Sequence, residues 1–167
     1  MNKLDLFTVS QIKRKALAQK AFEQGFFAES ITLCVHQLHA ILRHGLWMNA
    51  QLTMLADKSH VLNDEEIIRI LGNSQDVMPD GVPSKELFFA AQRFGFLAES
   101  DGEILGSLLN GSKILLRELF DTPQKDANAT YSALKPIAKA LLEKTDICIH
   151  KLMQQKEELK KLLKDSL

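Results

Sequence analysis

Residues 26–55 read FFAESITLCVHQLHAILRHGLWMNAQLTML. Ile31, Cys34, Val35, Leu38, Ile41, Leu42 and Leu46 recur three or four apart. That is the spacing of one apolar face of an α-helix, and it predicts a long helix with this stripe against a core. Gly45 falls within the stripe, where the missing Cβ permits a close helix crossing. At about 100° per residue, His36, His39, Arg43 and Trp47 share an adjoining side of the same helix.

The same period extends in both directions. Upstream, Thr8 and Gln11 have capping-box spacing, so a first helix is expected from about Thr8 to a stop at Gly25. Downstream, Asn63 and Glu66 open a short helix closed by Gly72. A turn-rich loop, GNSQDVMPDGVP, follows and is the expected mobile segment. Ser84 caps KELFFAAQRF, which should end at Gly95. Ser100 and Glu103 have capping-box spacing and open the next helix, EILGSLLNGSKILLRELF. Gly102, Gly106 and Gly111 weaken that helix by about 1 kcal/mol each relative to Ala, which predicts tight packing or a break near Asn110-Gly111. DTPQKDANAT reads as a loop. The last helix is expected from Tyr131 to Lys164, with Pro136 in its first turn or at a kink. Residues 154–167 are highly charged and are expected to project as a solvated end.

No stretch alternates with period 2 for long enough to make a strand. The chain therefore reads as all-α: one domain, 1–167, a helical bundle of about four to five main helices with a loop-rich insertion and short helix near 56–84. At 167 residues, 46% of them hydrophobic and 25% charged, it can bury a core without a disulfide or metal staple.

Lys plus Arg and Asp plus Glu number 21 each, so there is no overall basic footprint for nucleic acid. The charge is unevenly placed. Residues 1–20 set Lys3, Lys13, Arg14, Lys15 and Lys20 against Asp5 alone, residues 57–104 are acidic, and the tail from Lys151 is basic again. Blocks of this kind are usually solvated faces, although they can also orient chains against each other. Cys34 and Cys148 belong to no Cys-x-x-Cys pair and sit on apolar helical phases, which predicts buried free thiols and no disulfide. The first residues, MNKLDLFTVS, lack an apolar signal core, and no apolar run approaches the roughly 18 residues of a spanning helix. A cytoplasmic protein without membrane attachment is expected.

The chain has no phosphate-binding Gly loop, no His-Glu-x-x-His, no nucleophile elbow and no calcium loop. His36 and His39, three apart, could touch one metal. Two imidazoles fall short of the three protein ligands usual at catalytic zinc, and no Glu-x-x-His repeat supplies the rest. A polar flank beside a packed stripe is the plainer reading, with no metal and no cofactor. Asp146 and His150, four apart, read as a local surface hydrogen bond before they read as a catalytic dyad. Arg43, His44 and Trp47 could clamp a base or phosphate, but a Trp among His and Arg is also a normal helix–helix contact, and packing is the favoured reading.

AFEQGFFAESITLCVHQLHAILRHGL resembles the first helix, turn and long second helix of HEPN domains, the higher eukaryotes and prokaryotes nucleotide-binding family. Ala21, Phe22, Gly25, Phe26, Phe27 and Ala28 carry that pattern. AQRFGFLAESDGEILGSLLNGSKILLRELF is similar to the family's next hairpin, and TYSALKPIAKALLEKTDICIHKLM to its closing helix. Residues 10–155 are covered in outline. Many HEPN domains are metal-independent RNases that act as dimers, using an Arg followed a few residues later by a His at the RNA 2′-hydroxyl and scissile phosphate. The motif should fall in LLNGSKILLREL, which holds Asn110, Gly111, Ser112 and Lys113 and no His. No Arg of the chain is followed by a His at that spacing. His44 follows Arg43 at once, which is too close.

The resemblance thus implies the fold and a homodimer without the nuclease chemistry. The expected protein is a non-catalytic, HEPN-like binding or regulatory module in a stress or defence setting, engaging RNA, a nucleotide or a protein partner. Its expected contact surface is His36, His39, Arg43 and Trp47. The alternatives are a divergent RNase or nucleotide-transfer enzyme built on His36, His39 and Arg43, or an unrelated helical adaptor.

Overall fold

The computed structural model describes residues 3–56, 90–93, 95–121 and 126–165. The chain is an all-α helical bundle, and no strand occurs among these residues. Its long helices are α1 (Lys3–Glu23), α2 (Phe27–Ala56), α3 (Glu99–Asp121) and α4 (Ala127–Asp165). Residues 90–93 are also helical. The expected short helix at 63–72 and the loop at 72–83 lie outside the described residues.

α4 is the central element. It packs most extensively on α2 and also carries α3 and α1. Most of the predicted stripe of α2 is buried: Ile31, Cys34, Leu38, Ile41 and Leu42 are enclosed, while Val35 and Leu46 are half-buried. From α4, Leu134, Ala138, Leu141 and Leu152 meet them in one core. Burying each such Leu contributes about 1.5–3 kcal/mol.

Helix boundaries follow the local chemistry. Gly25 ends α1 with a positive φ of 82°, and the N–H of Phe26 donates to the carbonyl of Ala21. A left-handed residue there costs Gly nothing. Gly95 does the same after residues 90–93, at φ 73°.

Four expectations need correction. First, α1 starts five residues before Thr8. Thr8 and Gln11 do not cap it; both are buried inside the helix, and Gln37 of α2 donates to the Gln11 carbonyl. Second, Ser100 does not cap α3. The N–H of Gly102 donates to the Ala98 carbonyl, so the cap is Ala98 and Ser100 stands in the first turn. There is no break at Asn110-Gly111, because Gly111 packs toward Ile137 of α4 and the helix continues.

Third, α4 begins at Ala127, not Tyr131. Asp126 caps it, accepting from the N–H of Asn128 on its side chain and from that of Thr130 on its carbonyl. Pro136 consequently lies beyond the first turn, on an exposed flank where water can reach the freed carbonyl. Fourth, the C-terminal stretch of α4 is not a solvated end. Leu159 and Leu163 are buried, and Lys156 and Lys160 both reach Asp5 at the start of α1, at 3.0 and 3.3 Å.

Both cysteines are buried and free. Among the described residues, no helix is long and apolar enough to cross a membrane.

Candidate binding groove

α2 and α3 lean apart, each held by α4 more than by the other. Asp101 in the first turn of α3 accepts from Lys144 of α4 at 2.8 Å, with Lys151 at 3.8 Å. The Lys144 hydrogen bond holds the Asp101 carboxyl below its ordinary pKa, against a smaller opposing effect of burial. This pins the N-terminal end of α3 to α4, and an open groove of about 940 Å³ remains between α3 and α2.

One wall is a face of α2: Thr32, Val35, His36 and His39, with Ile31 at its base. The spacing of three and four residues puts these side chains in line. The opposite wall is α3. Leu109 and Leu116 continue the apolar floor, and Glu103, Asn110 and Lys113 stand along the rim. Gln92 closes toward α3: its Nε2 donates to the Glu99 carbonyl at 3.1 Å. A Cβ on Gly102 would lie 2.1 Å from that same Nε2, so glycine is what lets Gln92 lie across the helix. Gly106 has open space where its Cβ would be and lines the groove itself.

The four residues of the expected contact surface divide. His36 is exposed and His39 half-buried, and both line the groove. Arg43, one turn further along, is half-buried and is not part of the groove lining. Trp47 is enclosed, with 6% of its surface accessible, as part of the hydrophobic core. Burial, reinforced by the charges of Arg43 and His36, lowers the pKa of His39. At neutral pH His39 is therefore uncharged, with one ring nitrogen donating and the other accepting.

The described residues contain no group of three or more His, Cys, Asp or Glu side chains placed to hold a metal ion. Asp146 binds Lys15 of α1, and the His150 ring lies 2.9 Å from the Asp146 backbone carbonyl and 3.9 Å from its carboxylate.

Leu109 and Leu116 are half-buried, and of α3 only Gly102, Leu105 and Ser112 are fully enclosed. Nothing in the sequence brought Glu103, Asn110 and Lys113 together as one wall of a site. They stand seven and three residues apart, which marks one face of a helix without saying what it faces.

Compared with protein-family models, with curated proteins and with solved structures, the chain finds no match in any of the three.

Proposed function

We propose that the protein is a non-catalytic, HEPN-like helical binding module that takes a nucleotide or a short single-stranded RNA segment in the groove between α2 and α3. The make-up of that groove carries the reading. Its volume of about 940 Å³ is that of a small-molecule site, and it combines an apolar floor with a few polar groups on opposite walls. Val35, Leu109 and Leu116 offer a surface for the face of a base. Neutral His39, Asn110 and Glu103 can pair with base edges or ribose hydroxyls, and Lys113 can meet a phosphate. Homodimerisation belongs to the proposal, supported by Ile104, Ile114 and Phe120, which α3 leaves exposed at 46, 50 and 78%.

The test is calorimetry with ATP and GTP, together with anisotropy of labelled oligo(U) and oligo(A), on the native chain and on Lys113→Glu. Saturable binding that weakens by roughly tenfold or more in Lys113→Glu, with helicity unchanged, is the expected result. No binding of any of these probes overturns the proposal. RNA cleavage that follows the protein through purification and is lost in His36→Ala replaces it with the enzymatic alternative. Light scattering at micromolar concentration should give twice the chain mass.

A further inference from the structure

The groove between α2 and α3 is electrically lopsided. Among the described residues its lining holds one carboxylate, Glu103, and one lysine, Lys113, both on α3. Neither belongs to an ion pair with a described residue. Other charges of this helix are paired: Asp101 with Lys144 and Lys151, and Arg117 with Asp121.

The two groups stand at opposite ends. α3 runs antiparallel to α4, since Asp101 meets Lys144 while Gly111 packs toward Ile137. α4 runs in the direction of α2, since Tyr131 lies against Phe27 and Thr145 hydrogen-bonds Cys34. α3 is therefore antiparallel to α2 along the groove. One end gathers Glu103, Gln92 and His39, and the other gathers Lys113 and Thr32. The ten residues from Glu103 to Lys113 span about 15 Å of helix.

We propose that the groove selects guanine nucleotides, with the base at the Glu103 end and the phosphate at the Lys113 end. This rests on the reading of the groove as a nucleotide site and names the base. The Glu103 end offers acceptors. A carboxylate accepts and does not donate. Gln92 spends its Nε2 on the Glu99 carbonyl, and among the described residues nothing donates to its Oε1. Guanine alone carries two neighbouring donors on its Watson–Crick edge, N1–H and the 2-amino group, which one carboxylate can receive as a pair. Adenine and cytosine set a ring acceptor beside the amine, and uracil sets its single N–H between two carbonyls. Each of these would turn a lone pair toward Glu103.

Charge fixes the direction. A phosphate at the Glu103 end would meet that carboxylate and the exposed Glu99 one turn earlier. At the far end Lys113 attracts it, and a separation of about 15 Å exceeds the screening length of about 8 Å at physiological ionic strength.

Calorimetry with GTP, inosine triphosphate, ATP and guanosine tests this, with labelled UUGUU and UUAUU as the single-stranded arm. GTP should bind at least roughly tenfold more tightly than ATP, and inosine triphosphate, which lacks the 2-amino group, roughly tenfold more weakly than GTP. UUGUU should exceed UUAUU in the same sense, and the tighter of GTP and UUGUU names the source of the guanine. Glu103→Gln, whose amide matches the N6 and N1 of adenine, should reverse the preference for GTP over ATP, a reversal that loss of folding cannot produce. Lys113→Ala should weaken GTP roughly tenfold more than it weakens guanosine. Equal binding of GTP and ATP by the native chain overturns the inference while the groove remains a nucleotide site. A guanine preference untouched by Glu103→Gln overturns the placement of the base, and equal losses of GTP and guanosine in Lys113→Ala overturn the direction. Binding of no probe overturns this inference and the nucleotide reading together.

Discussion

Lys160, in the penultimate turn of α4, donates to Asp5 in the first turn of α1, across 155 residues of sequence. Lys156 joins it at 3.0 Å, with only 11% of its side chain exposed. Burial raises the Asp5 pKa, but the hydrogen bonds and charges of the two lysines outweigh it and hold the carboxyl below its ordinary value. One carboxylate thereby ties the first turn of α1 to the C-terminal turns of α4.

Asp5→Ala should therefore destabilise the protein by about 1–3 kcal/mol, because it strands the enclosed Lys156. Lys160→Ala, whose side chain is one-third exposed, should cost less than about 1 kcal/mol. Truncation after Met153 should be far worse, since Leu159 and Leu163 leave the core together at about 2–5 kcal/mol each. Urea denaturation of the three variants checks the order. A truncated chain as stable as the full one would show that the end of α4 is not part of the bundle.

His44 sets an acid limit on stability. It is buried on α2 with Phe7 stacked on its ring, and its Nδ1 has no hydrogen-bond partner. Burial, together with the charge of Arg43, pushes its pKa down to about 4 from an ordinary 6.5. The unfolded chain takes up this proton first. The contribution is thus complete above about pH 6.5 and is lost as the pH falls toward 4, amounting to about 3 kcal/mol. His39, also lowered, acts in the same direction. The lowered carboxyls, Asp5 and Asp101, give up their contributions only at more acidic pH. Unfolding free energies measured from pH 7.5 to 4 should fall through this window, and the slope should flatten in His44→Leu.

Three helical glycines should respond differently to alanine. A Cβ at Gly45 would lie 2.6 Å from the Phe96 ring, which is itself buried and cannot retreat. Gly45→Ala should destabilise by about 1–3 kcal/mol despite its better helix propensity. Gly102→Ala should displace Gln92 and break its bond to Glu99. Gly106→Ala meets nothing and should stabilise α3 by about 0.8–1 kcal/mol. Thermal melts of the three variants are the measurement, and an unstable Gly106→Ala would contradict the open space described at that position.

Neither thiol should react in the folded protein. Burial pushes Cys34 up to about 11, against the weaker effects of a Thr145 hydrogen bond and the Lys15 charge. Cys148 is pushed up to about 12, chiefly by burial. At pH 8 a disulfide reagent should label neither until denaturant is added, and then both. Rapid labelling of either in native buffer would show that its part of the core opens readily.

How far the sequence reached can be read from particular residues. The stripe from Ile31 to Leu42 gave the helix, its buried side and the all-α class, because a side chain every three or four residues can be enclosed on one face only. Gly25 and Gly95 gave their helix ends because left-handed backbone is nearly free for glycine alone. Both cysteines gave their burial through helical phase.

Other features waited for the tertiary structure. Thr8, Gln11 and Ser100 look like caps, yet Thr8 and Gln11 are buried within α1 and Ser100 is already the second residue of α3. Capping spacing is a local signal, and packing decides whether it is used. QQKEELKKLLKDSL looks solvated by composition, but Leu159, Leu163 and the Asp5 pairing bring much of it into the bundle. The groove was out of reach for the same reason. Periodicity assigns a residue to a face of its own helix, whereas a groove depends on how far apart two helices stand. Here Asp101 joins Lys144 of α4 and Gln92 joins the Glu99 carbonyl, pairings that no spacing in the chain announces.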